Sequence, residues 1–158
     1  MPQGSGRFDL AATPVLYLAE DPEHAVAEKI ARFRGATLRE EHLIEFHHKL
    51  AIVPVDLSAD IATKILDLCD PAKQLRLGIR SDQLAVAKRS VTQEISQKVH
   101  ARGFRGLRWW SSIRGEWHTV VVYLDRLTKK QIKFGEAEFL SLDNSVVQTS
   151  ARILGMKS

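Results

Sequence analysis

A chain of 158 residues, 44% of them hydrophobic and 27% charged, has the composition of a folded domain with one core, not of a disordered segment. Its single cysteine, Cys69, excludes an intrachain disulfide, argues against a thiolate metal site and fits a reducing cytoplasm. With no apolar run of about 18 residues and no charged-then-apolar leader, neither a membrane span nor a signal peptide is expected. The net charge of +4 favours phosphate-bearing ligands, polyanions or an acidic partner, unless the excess of lysine and arginine serves only solubility.

Residues 1–9 contain Gly4-Ser5-Gly6-Arg7-Phe8-Asp9. Glycines around an arginine let the backbone approach a ligand closely and leave the guanidinium able to make forked contacts with phosphate or carboxylate; the alternative is a frayed terminus. Val15-Leu16-Tyr17-Leu18-Ala19 is a β-prone run of strand length. Asp21-Pro22-Glu23 then supplies the N-cap, first-turn proline and early acid of a helix, so a strand passes directly into a helix. Tyr17 is a polar group inside an apolar strand. Glu28, among Ala25, Ala27, Ile30 and Ala31, either points to solvent or lines a pocket, where burial would raise its pKa unless a partner held it ionised.

Gly35 marks the stop of that helix. Residues 37–50 place Leu43, Ile44, Phe46 and Leu50 behind the polar start Arg39-Glu40-Glu41 and predict a second helix. Its histidines, His42, His47 and His48, lack the four-residue spacing of a helical metal pair, so no metal site is expected and they are assigned to solvent or to the helix end. Residues 51–57 predict a strand that Pro54 confines to an edge or a bulge. Ile65-Leu66-Asp67-Leu68 predicts another, and Cys69-Asp70-Pro71 opens a turn of helix to Leu77. From Ser81 or Asp82 onward, Leu84, Val86, Ala87, Val91, Ile95 and Val99 recur at helical spacing and predict one long scaffold helix closed by Gly103.

Arg102, Arg105, Arg108 and Arg114 interleave with Phe104, Trp109, Trp110 and Trp117. Two readings stay open: an aromatic and cationic platform for single-stranded bases, or a buried strand over 107–112 whose tryptophans belong to the core. Residues 119–124 predict a central strand, residues 131–142 a closing hairpin arm, and the segment after Asn144 a short helix or a loose tail.

Three local patterns, in this order, resemble the RES-domain family, bacterial NAD-destroying toxins named for an arginine, a glutamate and a serine. Gly6-Arg7-Phe8-Asp9 ahead of Val15-Leu16-Tyr17-Leu18-Ala19 is similar to the family's Gly-Arg-aromatic-Asn segment and tyrosine-bearing strand, with Asp9 in place of asparagine. Ala25 with Glu28 resembles the family's glutamate helix. Gly106-Leu107-Arg108-Trp109-Trp110-Ser111-Ser112-Ile113-Arg114, before Val120-Val121-Val122, resembles its Gly-Leu, aromatic, Pro-Ser, small residue, Arg run. Ile65-Leu66-Asp67-Leu68 and Leu77-Gly78 stand where the family has a Leu-Asp-Leu strand and a Leu-Gly pair.

The resemblance implies an α+β (mixed α/β) fold of the ADP-ribosyltransferase-like kind, a bent sheet flanked by helices. It implies a single RES-like domain over 1–158, with a core at about 4–142 and a tail at 143–158. By the same resemblance the protein is the cytoplasmic toxin of a toxin-antitoxin pair, neutralised by a helix-turn-helix antitoxin. It would cleave NAD at the nicotinamide-ribose bond as a phosphorylase or glycohydrolase, with protein ADP-ribosylation as a further outcome. NAD is then the substrate, no resident cofactor is required, and neither a membrane nor direct nucleic-acid binding is expected. The implied catalytic residues are Glu28, Arg7 and Ser112, and the implied dinucleotide contacts are Arg7, Tyr17, Glu28 and Ser112.

In that chemistry Glu28 offsets positive charge growing on the ribose, Arg7 grips the pyrophosphate, Tyr17 stacks on nicotinamide or positions the ribose, and Ser112 hydrogen-bonds the dinucleotide. Ser111 stands at the family's proline and is the alternative serine. Family members carry a further strand with a Tyr-Arg pair upstream of the Gly-Arg segment, whereas six residues precede Arg7 here. A catalytically inactive relative that keeps partner binding is therefore one alternative function. A nucleic-acid-binding module built on residues 102–117 is the other.

Overall fold

The computed structural model describes residues 6–86 and 88–157; the expected glycine-serine start and Ala87 of the expected long helix lie outside the described residues. In chain order the elements are β1 (Val15–Ala19), α1 (Pro22–Ile30), β2 (Ile44–Glu45), β3 (His48–Lys49), β4 (Ala51–Ile52), β5 (Val55–Leu57), α2 (Ala59–Ala62) and β6 (Ile65–Asp67). They continue with α3 (Pro71–Arg76), α4 (Ser81–Ala85), α5 (Arg89–Ala101), β7 (Gly106–Trp110), β8 (His118–Tyr123), β9 (Ile132–Phe134), β10 (Glu138–Phe139) and α6 (Ser145–Ile153). The fold class is mixed α/β. Among the described residues no helix is long and apolar enough to cross a membrane.

Two compact units make up the chain. The first contains the residues up to Leu18, Leu57–Trp110 and Thr119–Lys133. Its sheet has the order β1-β8-β7-β6, and β6 runs parallel to β7 with Leu66 opposite Leu107. Strands of a central sheet bury both faces and so read as near-continuous apolar runs, as Val121, Val122 and Tyr123 do. Leu66, Leu107, Trp109, Val121 and Tyr123 form one core with Leu84 of α4 and Ile95 and Val99 of α5. β8 passes so close to β7 that a Cβ at Gly106 would land on the Val121 carbonyl oxygen, which is why glycine opens β7.

The long helix expected from position 81 to Gly103 is two helices. α4 ends at Ala85 and Val86 turns extended (φ −68°, ψ 146°). The carbonyls of Leu84 and Val86, which an unbroken helix would spend on its own N–H groups, accept from the Arg7 guanidinium at 2.7 and 3.2 Å. A cation suits the C-terminal end of a helix, where carbonyl oxygens are left over. Gly103 closes α5 with φ +88°, as its position predicts.

The second unit contains Ala19–Asp56, Ser111–His118 and the segment from Phe134 on. Its centre is the pair α1 and α6. Val26, Ala27 and Ile30 of α1 pack with Val147 and Ala151 of α6, and with Leu43, Leu140 and Trp117. Ser150 of α6 donates to the Glu23 carbonyl at 2.9 Å. The segment after Asn144 is thus a core helix, started by the Asn144 side chain accepting from the Val146 N–H at 3.0 Å, a standard N-cap.

Residues 37–50 do not form the expected helix. A 3-10 turn at Glu40–Leu43 leads into β2, which pairs antiparallel with β3, Ile44 opposite Lys49 and Glu45 opposite His48. The turn residues Phe46 and His47 have φ +50° and +66°, the left-handed pair a two-residue hairpin requires. Leu43 reaches the core from the 3-10 turn and is buried, so its apolar side chain is satisfied without a helix. His42 is buried as well, accepting from the Arg39 N–H at 3.2 Å and stacking on Phe33 at 4.1 Å, not in solvent. Residues 51–57 hold β4 and β5 in place of one strand, and β10 pairs with β4.

Replacing Gly106 with alanine is expected to force β7 and β8 apart and to cost roughly 1–3 kcal/mol of stability. Gly115→Ala, where an added Cβ meets nothing within 4 Å, serves as the control and should leave the urea midpoint unchanged.

Candidate active site

Glu28 stands in the second unit on the last full turn of α1. Its side chain is 46% exposed, neither surrendered to solvent nor sealed in the core. One of its oxygens, Oε1, is met from two directions. The Ser111 hydroxyl donates to it at 3.1 Å, and Nε2 of His24, one helical turn earlier, lies 3.1 Å away. The four-residue spacing stacks His24 and Glu28 on one helix face.

His24 is wholly buried and its ring lies on the Trp117 ring, centroids 5.2 Å apart at an interplanar angle of 20°. Ser111 is fixed in turn. Its N–H donates to the Trp117 carbonyl at 2.7 Å, and its hydroxyl accepts from the Ile113 N–H at 3.1 Å. The Arg114 guanidinium lies 5.8 Å from the centre of the Trp117 ring. Of the two candidate serines it is therefore Ser111, buried, whose hydroxyl meets Glu28, while Ser112 beside it is exposed.

Arg7 and Tyr17 belong to the first unit, where they build the loop at 6–9. The Phe8 N–H donates to the Tyr17 hydroxyl at 2.9 Å, and that hydroxyl donates to Asp9 Oδ1 at 2.8 Å. Asp9 Oδ2 accepts from the Gly6 N–H at 2.8 Å. The loop carbonyls face α5. Gln93 Nε2 donates to the Gly6 carbonyl at 3.0 Å, Ser96 to that of Phe8 at 2.7 Å, and the Thr92 hydroxyl to that of Arg7. A Cβ at Gly6 would strike both Asp9 Oδ1 and the Tyr17 hydroxyl, so the loop admits only glycine there. Arg7 spends Nη2 on the Leu84 and Val86 carbonyls, and its Nε is buried without a hydrogen-bond partner among the described residues.

Residues 102–117 resolve toward the buried-strand reading. Trp109 and Trp117 are each 7% exposed, and Trp110 packs edge-on against Trp109 at 4.2 Å. Arg105 donates to the Arg126 carbonyl, and Arg108 pairs with Asp67 at 3.4 Å. Partial burial works against ionisation of Asp67, but the Cys69 N–H and the Arg108 charge together draw its pKa below the usual carboxylate range. A cavity of about 420 Å³ in the first unit is lined by Leu66, Lys73, Arg76, Leu77, Arg102 and Phe104; Arg7, Tyr17, Glu28 and Ser112 do not line it. Among the described residues, no three His, Cys, Asp or Glu side chains group to hold a metal ion.

Sequence reasoning missed His24 and the bridging part of Asp9, and it named Ser111 only as the alternative to Ser112. The four-residue interval from His24 to Glu28 was a visible signal for the first. Nothing local marks the bridging part of Asp9.

The Tyr17 network has a consequence at high pH. Burial raises the Tyr17 pKa above the ordinary 10.0; the Phe8 N–H works against the rise, and the Asp9 carboxylate, accepting the phenolic proton, adds to it. The folded state therefore holds this proton more tightly than the unfolded chain does. The stability gained is complete below the unfolded pKa and is lost as pH rises past it. Tyr123, buried and bonded to Ser96, is pushed up to about 12 and acts in the same sense. Urea midpoints at about pH 8 and about pH 11 should fall for the native protein, and fall less for Tyr17→Phe, whose difference from it reports the tyrosine alone.

No curated protein matches the chain. Among solved structures, the MbcT-MbcA toxin-antitoxin complex of M. tuberculosis contains a chain that superposes with a TM-score of 0.62 at 18% sequence identity, covering 96% of this chain and 77% of that one. At that identity the likeness speaks to the fold. The family model described as the RES domain matches residues 2–140, and the chain belongs to the RES-domain family.

Proposed function

We propose that the protein is the toxin of a toxin-antitoxin pair and that it cleaves NAD at the bond between nicotinamide and ribose. The observation that carries this reading is the Glu28 carboxylate, half-exposed on a helix and held at Oε1 by Ser111 and His24. Family membership over most of the chain supports it.

When the C1′–N bond of NAD breaks, its electron pair returns to the pyridinium nitrogen, and nicotinamide leaves as a neutral molecule without any general acid. Positive charge grows on C1′ and the ring oxygen, as at other glycosidic centres. A carboxylate fixed beside the ribose offsets that charge and can accept from its hydroxyls. Because the Ser111 hydroxyl already orients it, little reorganisation is needed at the moment of reaction. An oxygen of inorganic phosphate then bonds to C1′; in the hydrolytic alternative water does so and loses a proton. A nucleophilic protein side chain is the third acceptor.

Ser111 serves Glu28, and the exposed Ser112 offers its hydroxyl to the dinucleotide. Arg7 and Tyr17, the dinucleotide contacts that the family resemblance implies, build the loop at 6–9 of the first unit. The partner that would silence the toxin is an antitoxin protein, of the helix-turn-helix kind that the family resemblance implies.

Purified protein should consume NAD and release nicotinamide, and Glu28→Gln, which keeps the shape and removes the charge, should lower kcat/KM by about 100-fold or more. Comparing turnover with and without inorganic phosphate separates phosphorylase from glycohydrolase. Equal NAD loss with Glu28→Gln and native protein, or none with either, overturns the reading. Ser111→Ala should act mainly on kcat and Ser112→Ala mainly on KM.

A further inference from the structure

His24 is the residue of the Glu28 cluster that the resemblance does not name, and it is the most deeply placed. A histidine in a core is ordinarily satisfied at both ring nitrogens, because a buried polar atom left without a partner costs free energy. Here Nε2 faces Glu28 Oε1 at 3.1 Å, while Nδ1 is buried with no hydrogen-bond partner among the described residues. That asymmetry selects a protonation state. A charged ring, or the tautomer protonated at Nδ1, would bury an N–H donor with nothing to receive it. The second also turns a bare nitrogen toward an anionic oxygen. The neutral ring protonated at Nε2 leaves only an acceptor lone pair unmet and points its single N–H at the carboxylate.

Resting on the proposed NAD chemistry, we propose that His24 is a positioning residue. It is a neutral, permanently oriented donor that, with Ser111, fixes the conformer of Glu28 and does not itself exchange a proton during the reaction. The Trp117 ring at 5.2 Å sets the plane of the imidazole, and the helical interval sets its reach. Two donors converge on one oxygen from different parts of the second unit, His24 from α1 and Ser111 from the turn after β7. The carboxyl group is thereby held against rotation about its last two side-chain bonds.

Three versions of the full chain test this: native, His24→Leu and His24→Gln. Leucine fills similar space and removes the donor, while glutamine can place an N–H near the former Nε2. His24→Leu should lower kcat for NAD by about 10- to 100-fold with KM changed less than about twofold, and His24→Gln should recover most of the loss. Unchanged kcat in His24→Leu overturns the proposal. So does an equal fall in both variants with native-like melting, which would mark His24 as packing only.

Nitrogen-15 NMR of the imidazole gives a readout that does not need turnover. The native ring should show the neutral tautomer protonated at Nε2, with its Nε2 signal displaced in Glu28→Gln. A ring protonated at Nδ1, or charged, overturns the proposal. If native protein consumes no NAD, the functional reading fails while this measurement still decides whether His24 orients Glu28.

Discussion

A carboxylate taken partly or wholly out of water must be met by donors, and each unit of this protein meets that demand around one acid. In the first unit the acid is Asp9, 7% exposed, whose two oxygens accept from the Gly6 N–H and the Tyr17 hydroxyl. In the second it is Glu28, whose Oε1 accepts from Ser111 and faces His24. The two arrangements serve different ends. Asp9 is drawn into the core and its bonds shape a loop. Glu28 stays half-open, so its bonds orient a group that solvent can still reach.

Orientation of that kind needs a rigid support. α1 provides one because its inner face is spent on packing. Val26, Ala27 and Ile30 are buried against residues of α6, and Ser150 ties the two helices at the Glu23 carbonyl. The proline and acid at the start of α1 set where the helix begins, and that start sets which way position 28 faces. The apolar packing and the polar cluster are therefore one device. The helix is held by its alanine and valine face so that one carboxylate on its other side has a defined direction.

Much of this could be read along the chain. The passage from β1 into α1, the strands at Ile65–Asp67 and His118–Tyr123, and the glycine stop at Gly103 all depend on neighbours in sequence: alternating or continuous apolar runs, a proline at a helix start, a left-handed residue at a helix end. The misreadings share the opposite cause. An unbroken helix from position 81 is what the apolar spacing favours. The interruption at Val86 coincides with Arg7, distant in sequence, taking the helix-end carbonyls. Residues 37–50 have helical spacing too, yet the buried Leu43 and His42 are placed by a 3-10 turn and a two-residue hairpin. The tryptophans of 109–117 had two readings until burial chose between them.

At the site the division is the same. The sequence alone determined that Glu28 lies on a helix following a tyrosine-bearing strand, that a Gly-Arg segment precedes it and that a serine pair follows a later apolar run. These are facts of local pattern and order. Which serine touches Glu28, that a fully buried histidine stands behind it, and that the Tyr17 hydroxyl is spent on Asp9 and Phe8 were decided only by tertiary structure. Each is a hydrogen bond whose distance and direction depend on where whole elements come to rest. Adjacent serines differ by one position along the chain, but in the turn after β7 it is Ser111 that is drawn inward, bonded to the Trp117 carbonyl and the Ile113 N–H, while Ser112 is left exposed.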